Sequence, residues 1–121
     1  MENLENIKQP EIKSEELLSV IDKIKWENMY EFSFNGTNFL LIIIEKEDIE
    51  TRDVGEEAEY HESTMIDGYD IYLFDTIPES NRKRVLFHEI LEANLQDQGF
   101  KNEAHEIALK EEQKIYNNRK K

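Results

Sequence analysis

The spacing of apolar positions changes several times along the chain, and each change marks an expected element. Over 14–26, SEELLSVIDKIKW, the residues Leu17, Leu18, Ile21 and Ile24 recur at helical intervals, so an amphipathic helix is expected with Ser14 as its cap. Two strands are then expected, 30–34 and 38–46, on either side of Asn35-Gly36. Those two residues accept the positive φ angles of a tight hairpin turn. The run FLLIII within the second strand is apolar without alternation, as in a strand covered on both faces near the centre of a sheet. Two more strands, 60–66 and 69–75, flank Asp67-Gly68 as a second hairpin. Thr76-Ile77-Pro78-Glu79 has the spelling of a capping box and opens a helix expected over 77–98. Gly99 is placed to end that helix in a left-handed conformation. A last helix is expected over 101–117, and so short a link makes the two helices neighbours. The pattern predicts an α+β domain: an N-terminal helix, an antiparallel or mixed sheet of three or four strands, and two C-terminal helices. Its 121 residues suit one domain, 1–121, with the polar stretch 1–11 loosely held.

Charge narrows the partners. Charged residues make up 36% of the chain and the formal net charge is −13, which repels nucleic acid backbones and anionic lipid. No nucleic acid and no membrane partner is expected, and a protein or peptide partner would be a basic one. The longest apolar run, 39–44, is far too short to cross a bilayer. The start, MENLENIKQPEIK, lacks the apolar core of a signal peptide, and there is no cysteine to build a disulfide framework or a thiolate site. These features suit a cytoplasmic protein. Segment 45–62 holds nine acids against two basic residues and reads as a solvated loop or edge region, or as the acidic rim of a cleft.

Candidate chemistry lies in VLFHEILEANLQDQGF, 85–100, where His88, Glu89 and Glu92 spell H-E-x-x-E. The zinc-peptidase signature is H-E-x-x-H, one residue different. On a helix whose buried stripe is Phe87, Ile90, Leu91 and Asn94, His88 and Glu92 stack one turn apart on the same flank, where two side chains can grip one ion. A third ligand must come from elsewhere, and His105 on the adjoining helix is the candidate. Two histidines and one carboxylate are a common set for a catalytic zinc, which keeps a further position open. Glu89, turned further from the stripe, would act as general base toward the attacking water. The short motif is weak by itself, because Glu accounts for 21 of 121 residues and all three histidines (61, 88 and 105) precede a Glu. The plain alternatives are a half-buried helix histidine at 88, surface acids at 89 and 92, and a packing histidine at 105.

Segment 68–95, GYDIYLFDTIPESNRKRVLFHEILEANL, resembles the core of small zincin-like metallopeptidases of the ImmA/IrrE type. There a strand ending in a polar turn leads through a short basic run, here Arg82-Lys83-Arg84, into the helix that bears the motif. The order of helix, small sheet and motif helix also agrees, so the likeness covers about half of the chain; Glu92 departs from the family's second histidine. The family's third ligand is usually a downstream acid, where this chain offers His105. The resemblance implies a zinc-dependent hydrolase acting on a peptide bond of an intracellular protein such as a regulator, with Zn2+ or another divalent metal held by His88, Glu92 and His105. The alternative is a non-catalytic acidic module that keeps a zincin-like scaffold and grips a basic protein. Arg82-Lys83-Arg84 either pairs with the acidic loop or binds substrate. Tyr60, Tyr69 and Tyr72 read as sheet packing, and His61 has no evident partner.

Overall fold

The structure, a computed structural model, describes residues 9–26, 28–44 and 58–119. Among the described residues, three helices pack with one four-stranded mixed sheet, as expected for an α+β domain: α1 (Ser14–Asp22), β1 (Met29–Phe34), β2 (Thr37–Ile44), β3 (Ala58–Glu62), β4 (Tyr69–Phe74), α2 (Glu79–Asp97) and α3 (Ala104–Arg119). The strand order is β1-β2-β4-β3. β2 and β4 run parallel at the centre, and each pairs antiparallel with an edge strand. The unbroken apolar run of β2 is explained by this central place. The first hairpin turns on Asn35 and Gly36, with φ of 50° and 83°.

Alternation along the strands sets the core. Phe34, Phe39, Leu41, Ile71 and Leu73 point to one face of the sheet and are buried with Leu17 and Ile21 of α1. Against them α2 buries Leu86, Phe87, Ile90, Leu91, Ala93 and Leu95, all fully enclosed. That stripe is wider than the four positions expected, because α2 is covered by the sheet, by α1 and by α3 together. Asn94, also buried, carries the polar half of the seam. Its Nδ2 donates to Thr37 Oγ1 at 2.7 Å, and its Oδ1 accepts from Asn35 and Gln98. The β1–β2 turn is thereby tied to the helix that bears the motif.

Several element ends differ from expectation. α1 stops at Asp22, four residues early, yet Ile24 stays buried, so its apolar spacing reports core contact from a non-helical segment. Its N-cap is Lys13 in the left-handed region (φ 48°), and the Ser14 hydroxyl donates to Glu111 of α3 instead of capping. β3 ends at Glu62 and not at 66: the Ser63 hydroxyl accepts from the amides of Met65 and Ile66, which curls 63–68 into a loop longer than the tight turn expected. α2 does not begin at the expected Thr76 cap. α2 starts at Glu79 with Pro78 as its extended N-cap, because the residue before a proline is driven out of helical geometry and Ile77 is drawn into the core. Arg82 secures this entry by donating to the carbonyls of Ile77 and Asp75, both at 2.9 Å. Gly99 (φ 104°) ends α2 as expected, with the Phe100 amide donating back to Leu95. α3 begins at Ala104, three residues late. Of the stretch 1–11, residues 1–8 lie outside the described residues; Glu11 is held, exchanging two 2.9 Å bonds with the Gln98 side chain. The expected ends of β2 at 45–46 and most of the acidic segment, 45–57, also lie outside them.

Candidate metal centre

The motif helix presents His88 and Glu92 on one flank, as their four-residue spacing requires, and α3 returns alongside it. The tight stop at Gly99 and the buried Ala104 and Ala108 let the two helices approach closely. His88, Glu92 and His105 come together as the sequence suggests. Their nearest ligand atoms all lie within 4.8 Å of one another. Glu92 Oε1 is the hub, 3.0 Å from His88 Nε2 and 3.1 Å from His105 Nδ1. The two imidazole rings meet edge to face with centroids 5.0 Å apart. The cluster grades from inside to outside: the side chains of His88 and Glu92 are 12% and 15% exposed, that of His105 68%.

This group could hold a divalent ion. Zinc bonds to imidazole nitrogen and carboxylate oxygen of about 2.0–2.2 Å set neighbouring ligand atoms roughly 3–3.5 Å apart. The observed spacings to Glu92 Oε1 already fall there, and a carboxylate with two imidazoles is the donor set of an open catalytic site. Glu89, half-buried one residue along, is close enough for its charge to raise the pKa of both His88 and Tyr60.

Two residues at the centre escaped the sequence reading. Glu112 of α3 is buried, with Oε1 3.0 Å from His88 Nδ1 and Oε2 3.2 Å from Arg84 Nε. Tyr60, expected only to pack the sheet, donates its hydroxyl to Glu92 Oε2 at 3.1 Å and accepts from Gln96 Nε2 at 2.7 Å. For Glu112 a signal existed: it lies seven residues after His105 on the same face of α3. For Tyr60 none existed, because its partner depends on how β3 registers against the sheet.

The electrostatics follow from this crowding of acids. Burial works against a charged His88, but the hydrogen bond to Glu92 and the charges of Glu89, Glu92 and Glu112 outweigh it, and the His88 pKa is raised. Burial likewise opposes a charged Glu92, but hydrogen bonds from His88, His105 and Tyr60 prevail and hold its carboxyl below the ordinary value. The Tyr60 hydroxyl is pushed up by burial first and then by Glu92.

The basic run is divided among structural partners. Arg82 lies over the Trp26 ring at 5.7 Å besides holding the helix entry, Lys83 pairs with Asp22 at 3.1 Å, and Arg84 pairs with Glu112. The acidic segment with which this run was expected to pair lies, over 45–57, outside the described residues. His61, on β3, sets its ring edge-on to Tyr72.

No protein-family model matches the chain, and no curated protein and no solved structure matches it. The likeness to zincin-like peptidases therefore rests on the motif helix and the element order. No described helix is long and apolar enough to cross a membrane.

Proposed function

We propose that this chain is a metal-dependent hydrolase that cleaves a peptide bond, with zinc held by His88, Glu92 and His105. The observation that carries the reading is the convergence of their ligand atoms, from two helices, on one point. Bound there, the ion would polarise a substrate carbonyl and acidify a water. The chain's own residues supply the rest. Glu89 accepts the proton of the attacking water and passes it to the leaving amine. Glu112 and Tyr60 hold the ligating side chains in place from behind. The open flank at His105 leaves the site accessible to a polypeptide, and the acidic surface favours a basic one. A cytoplasmic setting, with a regulatory protein as target, goes with this reading. The second reading is an acidic module that grips a basic protein without catalysis; its support is that Glu92 joins both imidazoles by hydrogen bonds with no ion required.

Metal analysis of the purified protein, beside cleavage of an unstructured lysine-rich protein, tests the proposal. About one zinc per chain and cleavage abolished by chelator are expected. Metal-free protein that takes up no zinc, yet retains a basic partner until salt releases it, would favour the binding module.

A further inference from the structure

His88 has two carboxylates to choose from, and only one of its nitrogens can face a metal. Nε2 looks toward Glu92 and Nδ1 toward Glu112, each at 3.0 Å. Glu112 is the more deeply placed, at 7% exposure, and its second oxygen is fixed by Arg84 at 3.2 Å. A neutral imidazole carries one proton, and a hydrogen bond at one nitrogen decides which nitrogen remains a ligand. A buried carboxylate clamped by a guanidinium is a fixed acceptor. Glu92, in contrast, would turn its Oε1 to the ion and give up its bonds to both histidines.

Resting on the metal-site reading above, we infer that Glu112 is a positioning residue that keeps the proton of His88 on Nδ1 and so presents Nε2 to the metal. Arg84 holds Glu112 in that orientation. The contact crosses from α3 to α2, so it also fixes where His105, seven residues earlier on α3, stands against His88. The ligand set on one helix and the ligand on the other are thereby aligned by one carboxylate.

Zinc affinity by competition with a chromogenic chelator, together with nitrogen-15 resonances of His88 in the zinc-loaded protein, tests this. Wild type should carry a proton on Nδ1. Glu112→Ala should bind zinc about 10- to 100-fold more weakly, the usual loss when such a partner is removed. Its Nδ1 resonance should also move. Glu112→Gln keeps an acceptor oxygen but no charge, so its affinity should fall between the two. Lys83→Ala, which removes a neighbouring ion pair with Asp22, should keep wild-type affinity. Wild-type affinity and an unchanged Nδ1 resonance in Glu112→Ala would overturn the role of Glu112. If the alanine variant does not fold, wild-type zinc affinity in Glu112→Gln overturns it. Wild-type protein that binds no zinc overturns the metal site itself, a different failure.

Discussion

At the scale of single residues, ligand and base are distinguishable because they fail differently. His105→Ala removes one of three ligands, so zinc content should fall toward zero and cleavage with it. Glu89→Gln leaves every ligand in place but cannot take a proton, so cleavage should drop by about 10²- to 10⁴-fold while zinc stays near one per chain. Metal content and rate measured on the same preparations decide the assignment; a Glu89→Gln protein that loses its zinc as readily as His105→Ala would show the roles to be wrong. Glu92→His restores the spelling H-E-x-x-H and is expected to keep its metal, since the imidazole would meet the same point. It cannot, however, accept hydrogen bonds from Tyr60 and both histidines as the carboxylate does.

At the scale of elements, the two helices meet because small residues and a polar seam permit it, and the sheet is positioned by contacts of the same kind. Gly68 is one such point: a Cβ there would lie 2.1 Å from the carbonyl oxygen of Asn38 on the neighbouring strand. Gly68→Ala should therefore cost about 3 kcal/mol, the upper range for overpacking. Asn94→Leu keeps the branched shape but leaves the Asn35 amide without its acceptor and Thr37 with Asp97 alone, at a cost of about 2 kcal/mol. Urea unfolding followed by fluorescence measures both; an undiminished midpoint in either variant would contradict the contact it removes. These two sites also mark the limit of what the chain discloses in sequence. Element types, the Asn35-Gly36 turn, the Gly99 stop and the central place of FLLIII were legible, because each depends on local φ preference or on period. The failed caps at Ser14 and Thr76 show tertiary contacts overriding local ones: Ser14 turns to Glu111, and Pro78 with buried Ile77 delays α2. The His88, Glu92 and His105 grouping was legible from helix geometry and a short link. Glu112 shares the His105 face of α3 and was legible to that extent, whereas Tyr60 was not, since its hydrogen bond to Glu92 depends on how β3 registers in the sheet and leaves no period in the sequence.

At the scale of the whole molecule, metal binding and folding are linked through the protons of the site. Without metal, the raised pKa of His88 means that its charged form stabilises the fold. That contribution is complete below the ordinary value of 6.5 and is lost as pH rises through the folded value. Glu92 has the opposite sign: its lowered pKa contributes above the ordinary 4.5 and is lost as pH falls through the folded value. On these two groups alone the metal-free chain is most stable between about pH 4.5 and 6.5. Zinc reverses the upper limb, because a ligand nitrogen must give up its proton before it binds. The gain from zinc should therefore appear as pH rises through the raised pKa of His88, somewhat above where an ordinary histidine would allow it. At pH 8, with free zinc a hundredfold above its dissociation constant, the native state should gain about 2.7 kcal/mol. For a domain of this length that is a rise in Tm of about 10 °C. Calorimetry at pH 5 and pH 8, with zinc and with chelator, reads both limbs. The expected pattern is superimposed curves at pH 5 and separated ones at pH 8. Superimposed curves at both would mean that no ion bridges α2 and α3, and that the contacts among His88, Glu92 and His105 are ordinary hydrogen bonds holding two helices together.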